Sequence, residues 1–235
     1  SAFTSLFTEG MINYDLDSLL TEDHPELRDL RHITENFEKS FYKKGEILLR
    51  ERNPAWGVYF VYAGKLKLYK LGSDGKEQII RIASDGDFIG YTSVLNHSKY
   101  NVSATVLEDS TLAFIPKSDF VHIFAANPSF NEHFLHLLCL VVQAAEKRIT
   151  DMAYRPVRGR LAEALLALDM IYQQEDDEKE DFINLSRQDL ANLLGIAKET
   201  VIRLLSEFRY DKLITTDGYR ISILDPNKLK SISLM

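Results

Sequence analysis

Residues 186–206 hold the side chains whose types and spacing suit chemistry on a partner. Ser186 can accept from the free amides at a helix start, and Asp189 three residues on can reach back, as in a capping box. Leu190 and Leu194 then fall on one helical face, and Ala191 is small enough to let a second helix cross closely. Gly195 suits a tight, left-handed turn that a side chain would resist. Ile196 fills the corner, and a second helix runs from about Lys198 with Val201, Leu204 and Leu205 inward. Its outward set is Lys198, Glu199, Ile202, Arg203 and Ser206, and a helix presenting such a set can lie in a DNA major groove. Arg203 can place its fork on guanine O6 and N7, and Glu199, one turn away, can accept from cytosine N4. Lys198 can reach guanine or a phosphate, and Ile202 can meet a thymine methyl. Arg187, Arg209 and Arg220 are either phosphate contacts or solvated surface charges. A plain helical hairpin with a charged outer face would need neither the small residue nor the glycine where they stand.

The rest of the chain must carry and position that stretch. It has 235 residues, 45% of them hydrophobic, enough for two domains with cores of their own. The formal net charge is -7, but residues 175–181 hold six acids and one base, net -5, so a local basic face elsewhere is not excluded. Cys139 is the single cysteine, which rules out an intramolecular disulfide and fits a reducing cytoplasm. The start of the chain lacks a signal-peptide pattern, and the longest apolar stretch is too short to span a bilayer. A cytoplasmic protein without membrane contact is therefore expected.

Residues 1–24 have weak periodicity and read as an arm; a short helix from Pro25 to about Thr34 follows. From Phe41 to Ile115, short apolar runs alternate with turns at Lys44-Gly45, Asn53-Pro54, Ala63-Gly64, Ser73–Lys76 and Asp85–Asp87. Strands at such spacing predict an antiparallel β-barrel or sandwich. One strand, Glu77 to Ile82, is expected to put Ile80 and Ile82 on one face. Ser118-Asp119 can cap a short helix to Ala126, and Asn127-Pro128-Ser129 starts a long one to about Tyr154. Along the long helix Leu135, Leu138, Val142, Ala145, Ile149 and Met152 recur at alternating steps of three and four, a heptad seam. Leu137 and Val141 widen the stripe towards the barrel. The seam is expected to meet a second copy, which would give DNA two half-sites. Arg155-Pro156 breaks the helix and marks a domain boundary. Val157 to Tyr172 is a further helix, and two strands flanking Asp217-Gly218 make a hairpin that reads as a wing. The organisation is thus an arm (1–24), a sensor domain (25–127), a dimerisation helix (128–154) and a DNA-binding domain (155–235).

That order, with Gly64, Gly75-Lys76-Glu77, Gly86-Asp87-Phe88-Ile89-Gly90, Glu146-Lys147-Arg148, Arg158-Gly159-Arg160-Leu161-Ala162 and Lys198–Arg203, resembles the cyclic AMP receptor protein (CRP/FNR) family. The resemblance covers roughly residues 25–225. It implies an α+β chain with a cyclic-nucleotide-binding-like antiparallel β-barrel (a double-stranded β-helix), a long dimerisation helix and a C-terminal winged helix-turn-helix. It also implies a homodimeric transcription regulator, not an enzyme, reading a pseudo-palindromic duplex with a half-site core akin to TGTGA or TTGA. The acidic run Gln174–Asp181 sits where family members can present a surface to RNA polymerase, or it keeps the domain in solution. A small signal in the family biases the dimer towards its DNA-competent state. The other class of function, a sensor or scaffold module that reads no DNA, conflicts with the complete face on 198–206.

Departures from the family concentrate at the signal pocket. Cyclic-AMP-binding members place a glutamate where this chain has Tyr91, an arginine–serine pair where it has Val102-Ser103, and threonine and serine where it has Ala144 and Ala145. With Trp56 and Tyr100, these residues either line an apolar effector pocket or are simply core. One cysteine cannot build an iron–sulfur centre within a subunit. His133, His136 and Cys139 drift round the helix without a fourth ligand, so neither a haem nor another metal site is expected. A cyclic phosphate buried without its guanidinium partner would lose about 2–5 kcal/mol. Titration calorimetry with cyclic AMP should accordingly give a flat trace, and micromolar binding that strengthens DNA affinity would overturn this expectation.

Overall fold

Pairing of short apolar runs gives residues 39–116 eight strands: β1 (Lys39–Tyr42), β2 (Ile47–Leu49), β3 (Gly57–Ala63), β4 (Leu66–Leu71), β5 (Glu77–Ala83), β6 (Phe88–Ile89), β7 (Ser103–Val106) and β8 (Ser110–Pro116). The computed structural model describes residues 34–173 and 182–234, without the side chains of Ser129, Phe130, His133 and Leu137. The expected arm, nearly all of the helix from Pro25, and the acidic run lie outside the described residues. The strands form two antiparallel four-stranded sheets, in the orders β1-β8-β3-β6 and β2-β7-β4-β5, so the barrel is two sheets that do not close into one. Val58, Val61, Leu66, Ala104, Leu112 and Ile115 fill their shared core. Ile80 departs from the expected alternation: it is 43% exposed, while Ile79 and Ile82 are buried. The chain divides into two compact units, one holding Ile80–Val142 and the other Lys76–Ile79.

Gly90, at φ 90°, turns the chain from β6 into the short helix α1 (Tyr91–Leu95). A Cβ there would sit 2.9 Å from the Tyr100 ring, so both conformation and space call for glycine. Helix α2 (Lys117–Ala126) starts one residue before the expected cap, because Pro116 holds an extended backbone and no side chain caps the helix. Ser118 Oγ donates to Asp119 Oδ1 instead, at 3.2 Å. Helix α3 (Pro128–Tyr154) follows. Its anchor in the sensor core is Phe134, fully buried. The Phe134 ring lies 5.1 Å from Tyr91, 5.3 Å from Phe88 and 5.6 Å from Phe120, in edge-on contacts. Leu138, placed in the seam by its heptad position, packs against this same core. Val141 is half-buried.

The second unit takes residues 143–234 with Lys76–Ile79. It comprises α4 (Val157–Tyr172), β9 (Ile183–Asn184), α5 (Arg187–Leu194), α6 (Lys198–Tyr210), β10 (Ile214–Asp217), β11 (Arg220–Ile223) and α7 (Pro226–Ser233). Leu161, Leu165, Leu190, Val201, Phe208, Leu213, Ile221 and Leu229 form its buried interior. The wing hairpin gains a third strand, in the order β10-β11-β9.

Helix α5 is closed at both ends. Ser186 Oγ accepts from Asp189 N at 2.9 Å, and Asp189 reaches back to that hydroxyl, accepting from it at 2.6 Å. At the other end Gly195 is left-handed, with φ 66°. The last four carbonyls of a helix lack intrahelical donors, and here all four are supplied. The Gly195 and Ile196 amides serve Ala191 O. Gln78 Nε2 serves Asn192 O at 2.7 Å, Arg148 Nη2 serves Leu193 O at 2.6 Å, and Arg160 Nη1 serves Leu194 O at 3.0 Å. Arg148 also donates to Ile79 O at 2.9 Å. Burial, then the nearby charge of Arg160, holds the Arg148 guanidinium below its ordinary range. Two cations at a helix C-terminus also oppose its partial negative charge. Arg148→Met keeps the stem and removes the charged donor. It should lower stability by about 1.5–3 kcal/mol in urea denaturation and weaken binding to all DNA sequences alike.

Candidate nucleic-acid interface

The sorting of α6 into two faces follows from its period. Val201, Leu204, Leu205 and Phe208 are buried, while Lys198, Glu199, Ile202, Arg203 and Ser206 are exposed. The expected inward and outward sets are therefore both observed, with Phe208 extending the inward one. Ile202 is left 46% exposed among charged neighbours. Ala197 precedes the helix and offers no side-chain cap. Glu199 and Arg203 stand one turn apart on one face. Arg203 Nη1 donates to Glu207 Oε1, and the Arg203 side chain is 64% exposed.

The three arginines singled out for phosphate differ in their surroundings. Arg187 Nη2 donates to Gly218 O at 2.9 Å and its Nη1 to Tyr219 O at 3.1 Å, so its fork grips the wing turn. Burial lowers the affinity of Arg187 for its proton, and Tyr219 opposes that shift. Arg220 lies over the Phe182 ring, 4.3 Å from its centroid, and remains exposed at its outer side. Arg209 is exposed. Arg158, absent from the sequence-derived set, lines an open depression of 540 Å³ with Arg203, Ser206, Glu207, Tyr210 and Asp211. Its only sequence signal was its place beside Gly159-Arg160.

The residues grouped as an effector pocket have separate uses. Tyr91 is buried on Phe134, and Tyr100 is buried with its hydroxyl donating to Gly57 O at 2.8 Å. Trp56 is 73% exposed. Val102 is half-buried against the sensor core, and Ser103 Oγ accepts from Glu51 N at 2.9 Å. Ala144 is half-buried and Ala145 exposed, and both belong to the other compact unit. A part-buried ion pair stands near the pocket sequence: Arg81 Nη1 and Asp87 Oδ1 are 3.3 Å apart. Burial pushes the Asp87 carboxyl up, with the Arg81 charge pulling the other way. His136 and Cys139 are exposed, and among the described residues no three His, Cys, Asp or Glu side chains are grouped to hold a metal. No described helix is long and apolar enough to cross a membrane.

Along the seam, Leu135 is 63%, Val142 56%, Ile149 71% and Met152 48% exposed, an apolar row at heptad spacing on one helix. Ala145 is exposed between them.

Comparison with known proteins places these features in a family. Residues 39–127 match the cyclic nucleotide-binding domain, and residues 159–232 match the Crp-like helix-turn-helix domain. The transcriptional activator protein Anr of Pseudomonas protegens is 27% identical over 81% of this chain and 78% of its own length. The CRP-like cAMP-activated global transcriptional regulator of Mycobacterium tuberculosis is 24% identical over 84% of this chain and 88% of its own. Among solved structures, FixK2 from Bradyrhizobium japonicum covers 83% of this chain and 96% of its own with a TM-score of 0.73; at 24% identity the likeness is one of fold. Two domain matches in the order of the observed units, with regulators similar along most of the length, make this chain a member of the CRP/FNR family of DNA-binding transcription regulators.

Proposed function

We propose that this chain acts as a homodimer that reads a pseudo-palindromic DNA site through Lys198, Glu199, Ile202 and Arg203, under a signal other than cyclic AMP. The observation that carries the reading is the outward face of α6. Every inward position is apolar and buried, and every outward one is polar, charged or an exposed isoleucine. Arg203 supplies the guanine fork, Glu199 the cytosine acceptor and Ile202 the methyl contact. The capped α5 packs against this helix, and the wing, gripped by Arg187, follows it in sequence and packs on it through β10.

The exposed row from Leu135 to Met152 supports the dimer, since heptad-spaced apolar side chains in water favour a partner of the same pattern. A second copy doubles the half-sites without any new contact to DNA. The signal reading rests on Tyr91, which stands where cyclic-AMP-binding relatives carry a glutamate and whose ring is engaged by Phe134. An apolar or uncharged effector suits such surroundings better than a cyclic phosphate. RNA polymerase is the further partner that regulators of this family imply.

In binding selections on a random duplex pool, Arg203→Ala should cost about 1–3 kcal/mol and relax one base position per half-site. An equal loss on all sequences would remove its base-reading role. Ile149→Glu should shift the sedimenting mass from dimer to monomer and lower affinity for the full site about a hundredfold. Affinity for a single half-site should change little, and an unshifted mass would rule out the seam.

A further inference from the structure

The base-reading arginine is not alone on its helix. Glu207 has one oxygen on each of two arginines: Oε1 accepts from Arg203 Nη1, and Oε2 accepts from Arg158 Nη1 at 2.8 Å. Arg158 is itself held from two further directions. Its Nη2 donates to Asp211 Oδ2 at 2.9 Å, and its guanidinium lies 4.8 Å from the centroid of the fully buried Phe208 ring. Arg158 comes from the start of α4, so the carboxylate between the two arginines is braced by a different helix.

This arrangement bears on what Arg203 can do. A lone arginine on an exposed helix face samples many rotamers, and docking on a base must freeze them. Its guanidinium has five donors in a fixed plane. Glu207 takes one hydrogen, from Nη1, which leaves the edge formed by Nε and Nη2 open for the two acceptors of a guanine. The same carboxylate also affects non-specific binding. Arg158 and Arg203 with Glu207 and Asp211 sum to zero formal charge, so this end of the recognition helix does not attract phosphate indiscriminately.

We infer that Glu207, braced by Arg158, is a specificity-determining residue: it positions the Arg203 guanidinium for one base and suppresses binding to unrelated DNA. The inference rests on Arg203 being a base reader, as proposed above. Glu207 itself touches no base and acts through Arg203.

The test compares the full-length wild type, Glu207→Gln, Arg158→Gln and Arg203→Ala on the selected site, on single-base variants of it, and on an unrelated duplex, over a salt series. Glu207→Gln keeps the shape and removes the charge. It should raise affinity for the unrelated duplex and steepen the salt slope by about one unit. At the base read by Arg203, discrimination should fall about tenfold, within the range one arginine–guanine pair supplies. Arg158→Gln should lower discrimination at the same base, and combining it with Glu207→Gln should add little further loss. If Glu207→Gln strengthens specific and unrelated DNA equally, the carboxylate merely masks positive charge and the positioning role is overturned. Unchanged discrimination in Glu207→Gln overturns it as well. Arg203→Ala separates the two readings. If it relaxes one base while Glu207→Gln does not, only this inference fails; if it relaxes none, the base-reading assignment fails first.

Discussion

A helix-turn-helix must stop a helix in the middle of a packed domain, and a stopped helix leaves four carbonyls without donors. Burying them unpaired would cost about 1–3 kcal/mol each. In this chain, that requirement explains the placement of several otherwise unrelated residues. Gly195 takes the left-handed conformation so that its own amide and the next can turn back to Ala191 O. The remaining three carbonyls draw on Gln78, Arg148 and Arg160, from three separate stretches of sequence. The end of α3 and the start of α4 thereby become fixtures of the recognition motif. Anything that moves Arg148 changes the support on which α6 rests, which gives the long helix a direct hold on the DNA-reading element.

The sensor core obeys a different constraint, the filling of space between two open sheets. Phe88, Phe120 and Tyr91, from a strand and two helices, each meet the Phe134 ring edge-on. Aromatic side chains bury much surface with few rotatable bonds, so such a cluster is rigid for its size. Phe134 belongs to α3, which makes the first turns of that helix part of the sensor core. Arg148, further along α3, caps α5. One continuous helix thus carries an anchor in each compact unit, and its exposed seam residues lie between and beyond the two anchors.

The legibility of the sequence followed the range of the interactions. Helices α5 and α6, the Ser186 cap and the Gly195 turn could be read because their determinants are neighbours at fixed helical spacing. The long helix was legible for the same reason, from the heptad spacing of Leu135 to Met152. The donors that close α5 were not, since Gln78 and Arg148 are distant in sequence and any exposed glutamine or arginine looks alike. Strand β9 is two residues long and carries no period. Helix α7 did have a local signal, Asp225 capping Lys228 N just before Pro226, but it is short and follows a hairpin. The effector grouping treated Tyr91 and Tyr100 as lining or core without deciding between them. Tyr91 packs on Phe134, forty-three positions away and unremarkable in a helix already rich in apolar side chains.

Charge counting is where sequence reading and structure diverge most usefully. The DNA-binding domain is rich in arginine, and each one invites assignment to a phosphate. Arg148 and Arg160 are used on helix carbonyls, Arg187 on the wing turn, and Arg158 on two carboxylates. The cations of 187–220 that remain outward are Lys198, Arg203, Arg209, Lys212 and Arg220. Each neutralised phosphate contributes roughly 0.9 to the salt slope of binding, so the outward cations, and not the full arginine count, bear on that slope. In the proposed reading, discrimination depends on the orientation of a few side chains and on the joint use of two faces. A braced Arg203 and an exposed seam fit together in the proposed reading, in which specificity would come from geometry and affinity from a second copy.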